Sequence, residues 1–326
     1  MNDYIGSIRN ELAKVDQLAA SVPDNIGMFT IKTANRTIRE ASLRANPDPL
    51  WLSLWYEGEV CCLFSDSNLG KSIYAVQIAT SIAEKQKVLY FDFELSDKQF
   101  QLRYTSEQNE LYRFPENLYR VEINRESLDI ANFEETVINN IERAAITTES
   151  KVLIIDNLTY LCLASEKGDA AGALMFRLTA LKKKYNLSIL VLAHTPKRPL
   201  SNPITQNDLA GSKKLYNFFD SVFAIGKSAK DNGLRYVKQL KVRYGDYTYD
   251  SDNVIVASIE KNGACLCFSQ IGFAAEKEHL KELTETDKSN RIEKAKELRS
   301  QGISNVAIAK ELGVSEGAVR KWFKPS

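Results

Sequence analysis

An α/β fold is what this sequence predicts, with a mostly parallel central sheet, an antiparallel extension and a small all-α domain behind it. Three observations carry that expectation. Between Glu57 and His194, β-rich runs alternate with amphipathic stretches long enough for helices, the pattern of βαβ units. Those runs lack polar alternation, as strands covered on both faces do. After Phe219 the β segments follow one another closely, and the last forty residues break into three short helical stretches.

Residues 1–50 are polar and helix-prone, with turn signals at Pro23-Asp24 and Pro47-Asp48-Pro49, and are expected to form a helical N-terminal arm or cap. The main domain is set at 51–275. Its expected strands are 59–64 (EVCCLF), 87–93 (KVLYFDF), 117–123 (NLYRVEI), 151–156 (KVLIID) and 187–193 (LSILVLA). Helices are expected across Ser72–Glu84, Ile130–Ala145 and Ala170–Lys184. The segments SVFAIG, LRYVKQLKVRYG, NVIVASIE and CLCFSQIG, with Asp-Asn-Gly and Asn-Gly turns among them, read as the antiparallel extension. A charged linker is expected at 276–287.

Between the first strand and the first long helix stands Ser65-Asp66-Ser67-Asn68-Leu69-Gly70-Lys71-Ser72. It matches G-x-x-x-x-G-K-[ST] everywhere except at Ser65. Successive backbone N–H groups at a helix N-terminus, with the helix dipole behind them, cradle phosphate oxygens. Lys71 is then expected at the β- and γ-phosphates and the Ser72 hydroxyl on Mg²⁺, making ATP with Mg²⁺ the expected ligand. If the position of Ser65 requires a left-handed backbone, serine costs roughly 1–2 kcal/mol there.

Three strand ends supply further chemistry. Asp156 closes an apolar strand and is expected in the Mg²⁺ shell. Glu94 follows VLYFDF at the crevice edge where ligands bind in open α/β sheets, placed to orient or deprotonate the attacking water. His194 ends LSILVLA, where a polar side chain can touch the γ-phosphate. A surface Glu at a helix start and a satisfied structural His remain open alternatives.

These residues resemble the RecA-like P-loop ATPases of the DnaB, RepA and KaiC group, above all RepA-type plasmid replicative helicases and their relatives on mobilisable elements. The resemblance runs from Trp55 to Gly272 through SDSNLGKS, FDFELS, KVLIIDNLTYL, LSILVLAHTPKRP, NDLAGSKKLYNFFDSVFAIG and KQLKVRYG. It implies Glu94 as catalytic base, Asp156 as the metal acid and His194 as γ-phosphate sensor. It also implies that Lys241 and Arg243 reach a neighbouring subunit's nucleotide, so that hydrolysis depends on self-association, with a hexameric ring expected. Single-stranded DNA is implied at loops 157–168 and 195–212. There Lys197 and Arg198 are the evident cations, and a merely solvated basic loop is the alternative.

The tail, 288–326, reads as a helix-turn-helix. Ile292, Ala295 and Leu298 share one face of its first helix. Ser304 can cap the second helix, Gly313 can end it, and Ser315 can cap the third. Ala309-Lys-Glu-Leu-Gly313-Val-Ser315 is similar to resolvase and homeodomain-like domains, whose last helix enters the major groove of duplex DNA. Ser315, Glu316, Gly317, Arg320, Lys321 and Lys324 are then the candidate DNA contacts.

From Asp287 onward nine Lys/Arg face five Asp/Glu, although the whole chain carries a net charge of only +1. That asymmetry suits an appended nucleic-acid module. The N-terminus lacks a basic-then-apolar signal pattern, and the longest apolar run falls far short of the ~20 residues a membrane helix needs. A cytoplasmic protein without membrane contact is expected. Five cysteines without a CxxC pair read as buried thiols. An ATP-driven motor on DNA and an ATP-switched DNA-binding regulator both remain open.

Overall fold

The computed structural model describes residues 24–124, 133–161, 170–195, 198–209, 213–282, 285–312, 314 and 316–323. The chain divides after Pro47 into two units. In the first, a minimal hairpin, β1 (Asn25–Ile26) with β2 (Phe29–Thr30), precedes helix α1 (Ala34–Ser42). Thr33 caps that helix, its Oγ1 accepting from Arg36 N at 3.2 Å. The described part of the expected helical arm is thus partly β.

The second unit opens with a short hairpin, β3 (Pro49–Trp51) with β4 (Trp55–Tyr56), and is built on a nine-stranded sheet. Its strands in chain order are β5 (Val60–Ser65), β6 (Val88–Asp92), β7 (Leu118–Val121), β8 (Val152–Asp156), β9 (Ser188–His194), β10 (Ser221–Lys227), β11 (Leu234–Lys241), β12 (Val254–Asn262) and β13 (Cys265–Ala274). In space they run β13-β12-β11-β10-β5-β9-β8-β6-β7.

From β10 to β7 all neighbours are parallel; the three pairs from β10 to β13 are antiparallel. The expected fold class is observed, with one correction. Segment 221–227, read as part of the antiparallel extension, is a strand of the parallel core and pairs with β5 from Ser221↔Cys61 to Ile225↔Ser65.

Helices cover both faces of the sheet: α2 (Lys71–Ala83), α3 (Asp97–Arg103), α4 (Phe133–Thr148), α5 (Leu158–Leu161), α6 (Ala170–Tyr185) and α7 (Lys213–Phe218). Alternate residues of each central strand therefore enter different cores. Cys62 and Phe64 pack with α4 and α6 residues such as Ile141 and Leu178, whereas Cys61 and Leu63 pack with Ile78 and Ala79 of α2. This is why the strand sequences show no polar side.

The stretch 276–287, expected as a linker, is tied to the core at its start. Glu276 is buried and pairs with Lys238 at 2.5 Å, while its other oxygen accepts from Ile204 N at 2.7 Å. His279 Nδ1 lies 2.8 Å from Ser228 Oγ. A buried charge pair of this kind persists only with its remaining hydrogen-bonding capacity satisfied.

Helices α8 (Glu285–Ser300), α9 (Asn305–Leu312) and α10 (Glu316–Trp322) then enclose a separate small core of Ala295, Leu298, Ile308, Ala309 and Val319. Ser304 caps α9, its Oγ accepting from Ala307 N at 3.3 Å. Gly313, Ser315 and Lys324 lie outside the described residues. Among the described residues, no helix is long and apolar enough to cross a membrane.

Candidate active site

The loop between β5 and α2 lies at the C-terminal edge of the parallel strands, where the adjacent β9 ends in His194 and β8 in Asp156. Ser65 is the last residue of β5, fully buried, with the extended backbone of a strand. Its Oγ donates to Asp66 O at 2.9 Å. Serine is therefore unstrained at this position. The left-handed positions of the loop are Asn68, at φ 62°, and Gly70, at φ 90°. Asparagine is among the non-glycine residues that tolerate that region best.

Glycine is required at 70 for a second reason: a Cβ there would lie 2.6 Å from Ile259 Cδ1 and 2.9 Å from Phe268 Cε2. Gly70→Ala is expected to cost at least the 1–2 kcal/mol of a left-handed alanine, seen as a lower melting temperature of the unliganded protein. An unchanged melting temperature would contradict this packing.

Lys71, at the start of α2, is 7% exposed. Burial pushes its pKa down, opposed by the nearby carboxylates of Asp156 and Glu94. Its Nζ lies 3.3 Å from His194 Nδ1. The other ring nitrogen, Nε2, lies 3.5 Å from Glu94 Oε1 and 3.0 Å from Asn157 Nδ2. Asn157 also donates to Glu94 Oε1. His194 holds the pKa of Glu94 down, more strongly than its partial burial raises it. Glu94 is thus an ionised acceptor at neutral pH, with 43% of its side chain exposed at the crevice.

Asp156 is fully buried, and burial raises its pKa against the opposing effect of the Ser72 and Tyr90 hydroxyls. Tyr90 Oη donates to Asp156 Oδ2 at 2.7 Å, whereas Oδ1 has no hydrogen-bond partner among the described residues. A buried, unsatisfied carboxylate oxygen beside a serine hydroxyl and an ammonium fits the outer shell of a hard cation bound to phosphate. The residues present therefore fit Mg²⁺ with a nucleoside triphosphate. Ser72 and Asp156 would hold the metal. The backbone of Asp66, Ser67, Asn68, Leu69 and Gly70, with Lys71, would hold the phosphates.

Two contributors were missed in the sequence. Asn157 joins Glu94 to His194. Arg120, on β7, braces the turn that carries Glu94: Nε donates to Asp92 Oδ2 at 2.9 Å, Nη1 to Asp97 Oδ1 at 2.6 Å and Nη2 to Leu95 O at 2.7 Å. Asp92 Oδ1 accepts in turn from Glu94 N at 3.2 Å and Leu95 N at 3.0 Å. The only sequence signal was an acid, Asp92, ending the strand two residues before Glu94.

Other expected residues lie elsewhere. Lys241 and Arg243 are not at this loop. They sit toward the opposite end of the parallel strands, Lys241 about 10 Å by strand rise from the level of Ser65. Lys241 pairs in register with Val222, and Arg243 Nη1 donates to Asp220 Oδ1 at 2.6 Å.

Arg198, expected as an exposed DNA contact, is a correction. Its side chain is 7% exposed, with Nη1 donating to Asn202 O at 2.7 Å, Nη2 to Tyr236 Oη at 3.4 Å, and Nε 4.0 Å from Asp66 Oδ2. The enclosed side chain, bonded to Asn202 and Tyr236, is removed from the DNA-facing set and lies near Asp66 of the phosphate loop. Lys197 lies outside the described residues. On α10, Gly317, Arg320 and Lys321 are exposed, and Arg320 Nε donates to Glu316 Oε1 at 3.0 Å.

A lysine at a helix N-terminus, a buried metal-type acid and an ionised carboxylate at adjoining ends of parallel strands define a P-loop ATPase. Residues 32–199, just over half of the chain, match the family model described as AAA domain, and the chain belongs to that family. A curated relative, DNA repair protein RadA of Chlamydia pneumoniae, is 25% identical over 212 residues, 63% of this chain and 40% of the relative, so the match spans well under half of that protein. Among solved structures, a KaiC-like protein of the archaeon Pyrococcus horikoshii superposes with a TM-score of 0.49 at 14% identity, covering 66% of this chain and 91% of the other.

Proposed function

We propose that this ATPase is a RepA-like, helicase-type motor, stimulated by single-stranded DNA and assembling as a hexameric ring in the replication or mobilisation of a plasmid or transposable element. On this reading the C-terminal helices form the helix-turn-helix that holds duplex DNA. The observation that carries the hydrolytic part is the meeting of Lys71, Glu94, Asp156 and His194 at one edge of the sheet. Lys71 neutralises charge on the phosphates, and Glu94 orients and deprotonates the attacking water. His194, touching both, reports the terminal phosphate. When bound, Mg²⁺ supplies further neutralisation of the phosphoryl oxygens.

Assembly is supported by the position of Lys241 and Arg243. They lie toward the other end of the strands from the loop of their own chain, and the Arg243 side chain is 61% exposed, so Arg243 suits a neighbour's phosphates. The RadA relative is a DNA repair protein, which is consistent with DNA as partner.

ATP turnover measured with and without single-stranded DNA, with solution mass taken in the same nucleotide-containing buffer, tests the proposal. A DNA-stimulated rate in a multi-subunit species is expected. A rate indifferent to single-stranded DNA would replace the motor with an ATP-switched DNA-binding regulator.

A further inference from the structure

Helix α8 does not stand clear of the ATPase core. Arg291 Nη2 donates to Ser201 Oγ at 3.0 Å, and Lys281 N donates to Leu200 O at 3.1 Å. Between α8 and segment 199–201 runs a groove of about 420 Å³. Among the described residues its polar lining is Ser201, Lys281, Asn290, Arg291 and Lys294, three cations and two neutral groups.

Chemistry of that kind selects an anion rich in oxygen acceptors. Arg291 and Lys294 are one helical turn apart on the same face, and Lys281 meets them from the chain leading into α8. A row of guanidinium and ammonium groups along an open groove follows an extended polyanion rather than enclosing a small one.

The surroundings favour a nucleic-acid backbone further. The groove reaches Leu312 at the end of α9, immediately before the turn into α10. A duplex whose major groove received α10 would carry its phosphates past this end of the helical module.

The other wall of the groove leads to the nucleotide loop. Next to Ser201, Asn202 O accepts from Arg198, whose Nε faces Asp66. A phosphate that takes Arg291 away from Ser201 therefore acts one residue from Asn202, whose carbonyl holds Arg198 near Asp66 of the loop.

We propose that the seam between α8 and segment 199–201 is a binding site for the phosphodiester backbone of duplex DNA, with Lys281, Arg291 and Lys294 as its phosphate contacts. This deepens, and rests on, the reading above that the chain binds DNA.

The test uses the full-length chain and a Lys281→Glu/Lys294→Glu double variant. Fluorescence anisotropy is followed with a labelled mixed-sequence duplex, and with one of its strands alone, across a salt series. Basal ATP turnover and melting temperature are measured in parallel. Loss of two phosphate contacts should make the slope of log K against log salt shallower by about 1.8 for the duplex. Duplex affinity should fall at least tenfold, with basal turnover and melting temperature unchanged.

A wild-type protein that binds duplex, matched by a variant with equal affinity and an equal salt slope, overturns the seam and leaves the DNA reading standing. An equal loss for single strand and duplex overturns the duplex assignment. If the wild type binds neither DNA, the reading under Proposed function fails and the seam fails with it. Lys294→Gln is a milder second variant. An intermediate loss from it supports the site, and no loss beside a full loss in the double variant assigns the contact to Lys281.

Discussion

Replacing Glu94 with glutamine is expected to lower ATP turnover by about 10²–10⁴-fold while leaving binding of the magnesium nucleotide nearly intact. The amide keeps the size of the side chain and one oxygen toward Asn157, but it cannot take a proton from water. The carboxylate is ionised near neutrality, His194 holding its pKa below the ordinary 4.5, so its oxygens are available as acceptors. The sign follows directly. A depressed carboxylate contributes its ion-pair stability above the ordinary value, and that contribution fades as pH falls through the lowered one. The check is single-turnover hydrolysis beside titration of a fluorescent ATP analogue. Turnover within tenfold of wild type would remove Glu94 from the role of base.

Lys71→Ala should act on binding and hydrolysis together. Loss of one preorganised charge at a transferring group typically costs 10²–10³ in rate, and this ammonium lies in a desolvated pocket where its field is little screened. Turnover is therefore expected to drop by at least that factor, with weakened nucleotide affinity, in a protein whose circular dichroism is unchanged. The fold should survive because α2 is held through Tyr74, Ile78 and Ile82 in the core. It is also held by Gln77, which donates to Phe268 O at 3.0 Å and accepts from Phe268 N at 2.8 Å. Wild-type turnover in this variant would dismiss the loop as the nucleotide site.

What could be read in advance divides along physical lines. Strand identity was legible because two-sided burial leaves uninterrupted apolar runs such as Val152–Ile155. The direction of Ser221–Lys227 was not, since a strand's own residues do not name its neighbour; only the pairing with β5 makes it parallel. Lys71, Asp156 and His194 were legible because each ends a strand or opens a helix, and Glu94 because it closely follows the end of one.

Asn157 and Arg120 were not legible. Their importance lies in hydrogen bonds to residues that the sheet brings in from distant segments, Glu94 and His194 for one and Asp92 for the other. Arg198 was misread because a cation beside prolines looks solvated. Tyr236 and Asp66, from two other elements, enclose it. Glu276 looked like linker charge for the same reason, its partner Lys238 lying on β11.

Gly70 rests against Ile259 and Phe268, and Gln77 clasps both backbone groups of Phe268. The β12–β13 hairpin, the last pair of the sheet, is therefore the support on which the loop at Gly70 rests. Opening that hairpin and losing the ligand become one thermodynamic event, since a loop without support cannot keep its amides convergent. Ligand present at a hundred times its dissociation constant should then make local opening of the hairpin costlier by about 2.7 kcal/mol. The sheet's outermost ribbon becomes its most ligand-responsive part, and nucleotide turnover would periodically loosen and tighten an edge far along the chain from Lys71.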